Sequence, residues 1–315
     1  MKITICIATC KRVNYLTNLL EKINELKIHK EVTVTVAVVD NDSNRTAYVI
    51  LKEIEKKVKY TLIYDFESKQ GIPFTRNKCI SLVPGDTDFV LFIDDDEYPS
   101  VDWLWELVEL QKNTNADLIQ GQVKPHYLIT PKKWILEGNF MDYPSLENGE
   151  IYPYDQVATN NLLVRYSLIK QLKGPFNEEL GLTGSDDNQL GRDLHEIGCN
   201  MLFSSKAIVY EYLPTERLNF RWIMQRSYRT ANTYWPICKN KSIFTFMYFF
   251  FTACIRILVG LSMFVPAGLL GLIFGYHYFF KAIRIVIRGI AIIAGLFGFY
   301  YEEYKYNYTS EKVSQ

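Results

Sequence analysis

Three observations predict an α/β fold with parallel strands, followed by hydrophobic helices at the C-terminal end. Strand-like and helix-like segments alternate through the first hundred residues, the pattern of a parallel sheet with helical cover. The apolar run Phe89-Val90-Leu91-Phe92-Ile93 fits a central strand buried on both faces, and it ends in three aspartates, Asp94, Asp95 and Asp96. From Ile243 to Tyr301 charge nearly vanishes, leaving only Arg256, Lys281, Arg284 and Arg288.

The elements follow in order. Ile3 to Ile7 reads as a strand, and Asn14 to Leu26 as an amphipathic helix with Leu16, Leu19, Leu20 and Ile23 on one side. Val32 to Val39 is β-branched and strand-like, ending at Asp40-Asn41-Asp42-Ser43. Thr46 to Val58 is a second helix, Lys59 to Tyr64 a third strand, and Gly71 to Leu82 a third helix before the Phe89–Ile93 strand. Asp40 and Asp94 then sit at carboxyl ends of strands on one sheet edge, where open α/β sheets bind ligands. Three adjacent anions repel one another unless a cation lies among them, and clustered carboxylates suit Mg²⁺ or Mn²⁺. A solvated acidic turn is the alternative reading of the triplet.

Composition narrows the classes. Equal numbers of basic and acidic residues, 35 each, argue against a nucleic-acid binder. No Gly-x-Gly-x-x-Gly follows the first strand and no Walker phosphate loop is present, so neither dinucleotide chemistry nor ATP hydrolysis is supported. The six cysteines lack zinc-ligand spacing and read as reduced thiols, and the four histidines show no ligand spacing either. The N-terminus alternates like a strand and lacks a signal-peptide core, so the chain is expected to begin in the cytoplasm.

Residues 1 to about 235 resemble a family 2 glycosyltransferase with the nucleotide-diphospho-sugar-binding (GT-A) fold. Ile5-Cys6-Ile7-Ala8-Thr9-Cys10-Lys11-Arg12 resembles the family's first strand and loop, with Ala8 and Cys10 in place of the usual Pro and Tyr. Val38-Val39-Asp40-Asn41-Asp42-Ser43 resembles its Val-Asp-Asn-x-Ser loop, Gly71 to Asn77 its Gly-x-x-x-x-Arg-Asn segment, and Asp94-Asp95-Asp96 its Asp-x-Asp motif. Thr159-Asn160-Asn161 through Arg165 resembles the acceptor-side Gly-Asn-x-x-x-Arg strand, with Asn160 replacing Gly. Gly184-Ser185-Asp186-Asp187-Asn188-Gln189-Leu190 resembles the segment carrying the Glu-Asp catalytic motif.

The resemblance implies a mixed sheet with helices on both faces and a glycosyltransferase domain at 1–235, with membrane-attachment helices and a tail at 236–315. It implies donor contacts at Ala8, Thr9, Arg12, Asp40, Asp42, Arg76, Asn77, Asp94 and Asp95, metal ligands at Asp96 and Asp94, and acceptor-side residues Asn161 and Arg165. Asp187 is the favoured catalytic base, with Asp186 the alternative because the register is ambiguous by one residue. Arg217, Arg221, Trp222 and Arg226 are candidates to close over the diphosphate. Bland readings stand beside these. Asp40 and Asp42 suit turns, Asp186 and Asp187 suit a helix start, and the arginines could be surface cations.

Ile257 to Phe280 carries no formal charge and is long enough to span a bilayer core, yet Pro266 and four glycines interrupt it. Lys281, Arg284 and Arg288 recur on one helical side, as interfacial helices present cations to anionic headgroups. A re-entrant hairpin near Pro266-Ala267-Gly268 or a monotopic platform fits better than a single span, while a helical subdomain buried in a soluble oligomer is the alternative. The stretch Ala294 to Tyr304 resembles the tail of bacterial glucosyltransferases that build exopolysaccharide on a lipid carrier. The expected function is therefore metal-dependent, inverting transfer of one sugar from a nucleotide-sugar, most plausibly a UDP-sugar, to a hydroxyl of a lipid-linked or cell-surface glycan. It would take place on the cytoplasmic face of a bacterial inner membrane. A polyprenyl-phosphate glycosyl synthase and a catalytically silent scaffold are the competing readings.

Overall fold

The computed structural model describes residues 1–180, 184–238 and 241–301. Contacts group them into two compact units. One holds residues 1–126, 143–180 and 186–212, the other 127–142, 184–185 and 213–301.

In the first unit the alternation expected from sequence is present. Strands β1 (Lys2–Thr9), β2 (Thr33–Asp40), β3 (Thr61–Phe66) and β4 (Phe89–Phe92) alternate with helices α1 (Val13–Asn24), α2 (Ala47–Ile54) and α3 (Ile72–Ser81). β1 pairs in parallel with β2 and β4, and β2 with β3, so Thr9 lies beside Asp40 and Cys6 beside Phe92. That register delivers the carboxyl ends of β1, β2 and β4 to one edge. The next elements are β5 (Glu97–Pro99), α4 (Trp103–Thr114), β6 (Leu118–Tyr127), α5 (Lys133–Glu137), β7 (Leu162–Arg165), α6 (Tyr166–Ile169), α7 (Asp186–Glu196) and β8 (Met201–Leu213). Their pairings are antiparallel: β7 to β4, β6 to β7, and β5 to β8. Among the described residues the sheet therefore has eight strands in the order β3-β2-β1-β4-β7-β6-β8-β5 and is mixed.

Both faces of the sheet are covered. On one, Ile3, Ile5 and Ile7 of β1 pack with Leu16, Leu19 and Leu20 of α1 and with Trp103 of α4. On the other, Cys6, Val90 and Phe92 pack with Cys79 of α3 and with Leu190 and Leu194 of α7. Each large side chain buried this way contributes about 1.5–3 kcal/mol. Alternating residues of a central strand must then both be apolar, which is why β4 reads as an unbroken hydrophobic run.

The second unit contains α5, α8 (Phe220–Asn232), α9 (Ile243–Ser262), α10 (Phe264–Phe274) and α11 (His277–Leu296). Asn219 and Ser242 cap α8 and α9 by accepting hydrogen bonds from the backbone N–H groups of Trp222 and Thr245. Pro266 does not break a helix but stands in the first turn of α10, where backbone N–H groups have no intrahelical acceptor. α9 and α11 touch at glycines. A Cβ on Gly260 would lie 2.5 Å from Val286 Cγ2, and one on Gly289 would lie 2.8 Å from the Ala253 carbonyl oxygen. The opposite face of α9 leaves Phe244, Tyr248, Phe251, Ile255 and Leu258 exposed. Among the described residues α9 is the helix long and apolar enough to cross a membrane, by length and composition. The cations of α11 are not all directed outward. Arg288 donates to Thr230 Oγ1 (3.2 Å) and the Tyr234 hydroxyl (2.7 Å), and Arg284 lies over the Phe140 ring. Residues 302–304 of the tail motif lie outside the described residues.

Candidate active site

The site is assembled at the carboxyl edge of β1, β2 and β4 with the start of α7. The chain leaving β1 turns at Lys11, whose φ is 57°, and this carries Arg12 toward the aspartate triplet. Arg12 Nη1 lies 2.9 Å from Asp95 Oδ1 and 3.0 Å from Asp96 Oδ2, and Thr9 donates to Asp95 Oδ2 at 2.8 Å. The turn at 94–97 closes on itself. Asp94 N–H donates to Glu97 Oε2 and Glu97 N–H to the Asp94 carbonyl, while the buried Glu97 Oε1 has no hydrogen-bond partner.

Arg76 joins this triplet to the distant acidic pair. Gly71 (φ 137°) and Pro73 start α3 sharply, one turn before Arg76. Its guanidinium, 11 % exposed, donates to Asp186 Oδ2 at 2.8 Å and to Asp94 Oδ1 at 3.4 Å. Two acidic clusters separated by ninety residues of chain thus share one cation. Burial opposes the Arg76 charge, but Asp186, Asp94 and Asp187 outweigh it and hold the guanidinium protonated. Asn77 has a different duty: its amide exchanges two hydrogen bonds with the Phe176 backbone, fastening the segment before α7.

Asp187 differs from its neighbour. Asp186 is buried in the ion pair with Arg76, whereas Asp187 accepts from the Asn188 N–H, and its pKa is pushed up to about 6 by burial and then by the Asp186 charge. The Asp95 carboxyl is likewise raised to about 6, chiefly by burial, against the pull of Arg12. Of the pair, Asp187 has the pKa suited to take a proton near neutral pH.

The remaining expected residues are placed as follows. Ala8 lines a small cavity with Arg76 and Asp94. Asp40 is fully buried and both its oxygens are engaged, accepting from Asp42 N–H and from Ala47 N–H at the start of α2. Asp42 is also buried, and its Oδ2 has no partner. Asn41, which the sequence did not single out, fastens the loops after β2 and β3. It donates to the Glu67 and Lys69 carbonyls and accepts from Gly71 N–H. An Asn between two aspartates in a loop was its only sequence signal. Asn161 has φ 89° and no exposed surface, bonding Trp103 Nε1, the Gln122 carbonyl and the Ala207 carbonyl. Arg165 is not brought to the Asp94 end. Paired opposite Phe89 at the far end of β4, it binds Asp117 Oδ1 at 2.6 Å. In the second unit, the guanidiniums of Arg217 and Arg226 lie over the Trp222 ring at 5.8 and 5.5 Å, and Arg221 is exposed on α8.

This arrangement has counterparts among known proteins. The sequence profile of glycosyl transferase family 2 matches residues 4–208. The chain is a family 2 glycosyltransferase. This glycosyltransferase is 28% identical over 243 residues to the succinoglycan biosynthesis protein ExoM of Rhizobium meliloti, covering 77% of each chain. Its fold superposes on S. aureus TarS residues 1–349 in complex with UDP-GlcNAc (TM-score 0.55, 16% identity, 96% of this chain and 93% of that one). It also superposes on the Pyrobaculum calidifontis mannosyltransferase PcManGT in complex with GDP-Man and Mn²⁺ (TM-score 0.61, 13% identity, 92% and 86%). The glycosyltransferase spans 39% of the longer TarS chain. The fold is accordingly GT-A, and the activity is sugar transfer from a nucleotide-sugar.

Proposed function

We propose that this enzyme transfers a single sugar, with inversion, from a UDP-sugar to a hydroxyl of a lipid-linked or cell-surface glycan at the cytoplasmic face of a bacterial inner membrane. The observation that carries the reading is the Arg76 bridge between Asp94 and Asp186, which brings a diphosphate-side acid and a base-side acid to one cleft.

Asp94, Asp95, Asp96, Glu97, Asp186 and Asp187 contribute six carboxyl groups against the guanidiniums of Arg12 and Arg76. A nucleotide diphosphate would be repelled by that field unless positive charge accompanies it. The donor set is all carboxylate oxygen, including the orphaned Glu97 Oε1. Among the described residues no three ligating side chains converge into a cage. The carboxylate oxygens fit Mg²⁺ or Mn²⁺, which take one or two carboxylates and complete their coordination with substrate phosphates and water. Asp96 and Asp94 are the residues that would hold it, and the bound ion would neutralise charge on the leaving diphosphate. The chain's own groups do the rest. Arg76 and Arg12 fix the triplet, Asp187 accepts the acceptor hydroxyl's proton as that oxygen attacks the anomeric carbon, and Asp186 is engaged by the Arg76 guanidinium. One base opposite the leaving group corresponds to single displacement, hence inversion.

Membrane attachment rests on the exposed apolar face of α9 and on α10, whose eleven residues include no charge. The ExoM relative is named for succinoglycan biosynthesis, which supports a glycan acceptor. The test is to assay purified full-length protein with a panel of UDP- and GDP-sugars in Mn²⁺ and in EDTA, with and without membrane lipid extract. Donor hydrolysis or transfer that depends on Mn²⁺ and is lost in Asp96→Ala is the expected result. Equal turnover in EDTA, or a preference for guanosine donors, would overturn the metal or UDP assignment respectively.

A further inference from the structure

We infer that Thr159 and Asn160 form a polar floor that takes a hydroxyl group of the transferred sugar and so helps set which donor sugar is accepted, an inference that rests on the function proposed above. Thr159 lines a small cavity with Arg76, Asp94, Ala8 and the two thiols Cys6 and Cys79. The cavity offers about 10 Å³ to the centre of a water-sized sphere, room for one hydroxyl or one water. Thr159 is 2% exposed, and its Oγ1 has no hydrogen-bond partner in the protein; Asn160 is 8% exposed, and its Oδ1 has none either. Two buried polar atoms without partners, on consecutive residues, are costly to keep, and native sites retain such groups for a ligand.

Their position is fixed by neighbours that are not themselves orphaned. β7 runs antiparallel to β4 with Leu162 opposite Phe92, and Asn161 N–H donates to the Phe92 carbonyl. That bond holds the peptide between Asn160 and Asn161 at the carboxyl end of β4. Gln120 clamps the same segment, accepting from Ala158 N–H at 3.0 Å and donating to the Asn161 carbonyl at 3.1 Å. The left-handed Asn161 locks the chain immediately after it. A rigid segment therefore holds an unpaired hydroxyl in the cavity that Asp94 lines, with an unpaired amide oxygen on the next residue. Asn160 also stands where the family pattern has glycine, so this amide adds a polar group that glycine lacks.

The experiment measures equilibrium binding, in Mn²⁺ and without acceptor, of UDP and of UDP-glucose, UDP-galactose and UDP-N-acetylglucosamine to the full-length protein. Wild type, Thr159→Val, Thr159→Ser and Asn160→Ala are compared. Thr159→Val and Asn160→Ala are expected to weaken the preferred UDP-sugar by about tenfold while leaving UDP within about twofold, and to narrow discrimination among the three sugars. Thr159→Ser, which keeps the hydroxyl, should retain the wild-type ratio. An unchanged UDP-sugar to UDP ratio overturns the inference, whether because the two groups bind only water or because they serve the acceptor. A parallel loss of UDP and UDP-sugar also overturns it. If wild type binds neither UDP nor any of the three UDP-sugars, the UDP-sugar reading itself fails, an outcome distinct from an unchanged ratio in the variants.

Discussion

Replacing Arg76 by methionine removes the cation shared by Asp94 and Asp186 while roughly keeping side-chain volume. Asp186, whose side chain is 6% exposed, is left as an uncompensated buried carboxylate; Asp94, at 42%, can rehydrate and costs little. Breaking a buried pair by removing one partner costs about 3–5 kcal/mol. For a unit of this size each kcal/mol moves Tm by about 2–4 °C, so Arg76→Met should lower Tm by roughly 6–20 °C at pH 7.5. A buried carboxylate without a counter-charge costs most when ionised, so lowering the pH relieves the penalty. The deficit should therefore shrink at pH 5. Arg76→Met combined with Asp186→Asn should recover much of the loss, because the unpaired charge is gone. Thermal melts of the detergent-solubilised full chain at both pH values are the assay. A single variant within roughly 2 °C of wild type, or a double variant less stable than the single, would refute the buried bridge.

Four further outcomes follow from the same geometry. Asp187→Asn should keep donor affinity and lower turnover by roughly 10²–10⁴-fold. In the wild type kcat/KM should fall with unit slope below about pH 6, because Asp187 must be unprotonated to act; a pH-flat profile between 5 and 7 would count against it as base. Asn161→Ala strands Trp103 Nε1 and two carbonyls, so it should cost about 3–5 kcal/mol by denaturant melts, and a loss under roughly 1 kcal/mol would contradict its place in the core. Membrane fractions should release the protein to detergent but not to 1 M NaCl (roughly a 3 Å screening length); release by salt alone would argue against apolar insertion.

The first half of the fold was legible because its strands and helices announce themselves locally. β-branched runs ending in Asp40 and Asp94 and the stripe of Leu16, Leu19, Leu20 and Ile23 lie within single elements. The antiparallel half was not, since β7 has four residues and its direction depends on partners far along the chain. That direction explains Arg165. With β7 running away from the aspartate end, four residues past Asn161 displace it by about 13 Å, into the reach of Asp117. Asn161 itself looked like a binding residue, yet a buried left-handed asparagine serves the backbone around it. For Asp186 and Asp187 the sequence left two equivalent candidates. What separates them is which one Arg76 takes, a contact made 110 positions away.

Asn232, near the end of α8, decides where this polypeptide can be shortened. Its amide nitrogen donates to the carbonyls of Ala291 and Phe299, and its oxygen accepts from Tyr301 N–H. Ala231 beside it packs on Ala291, Ile292 and Leu296. Cutting the gene after codon 235 to obtain a soluble catalytic fragment would remove the α11 residues that back Ala231 and strand both polar atoms of the Asn232 amide at a new surface. A truncation that ends before α8, or one that retains everything through Tyr301, respects the joint.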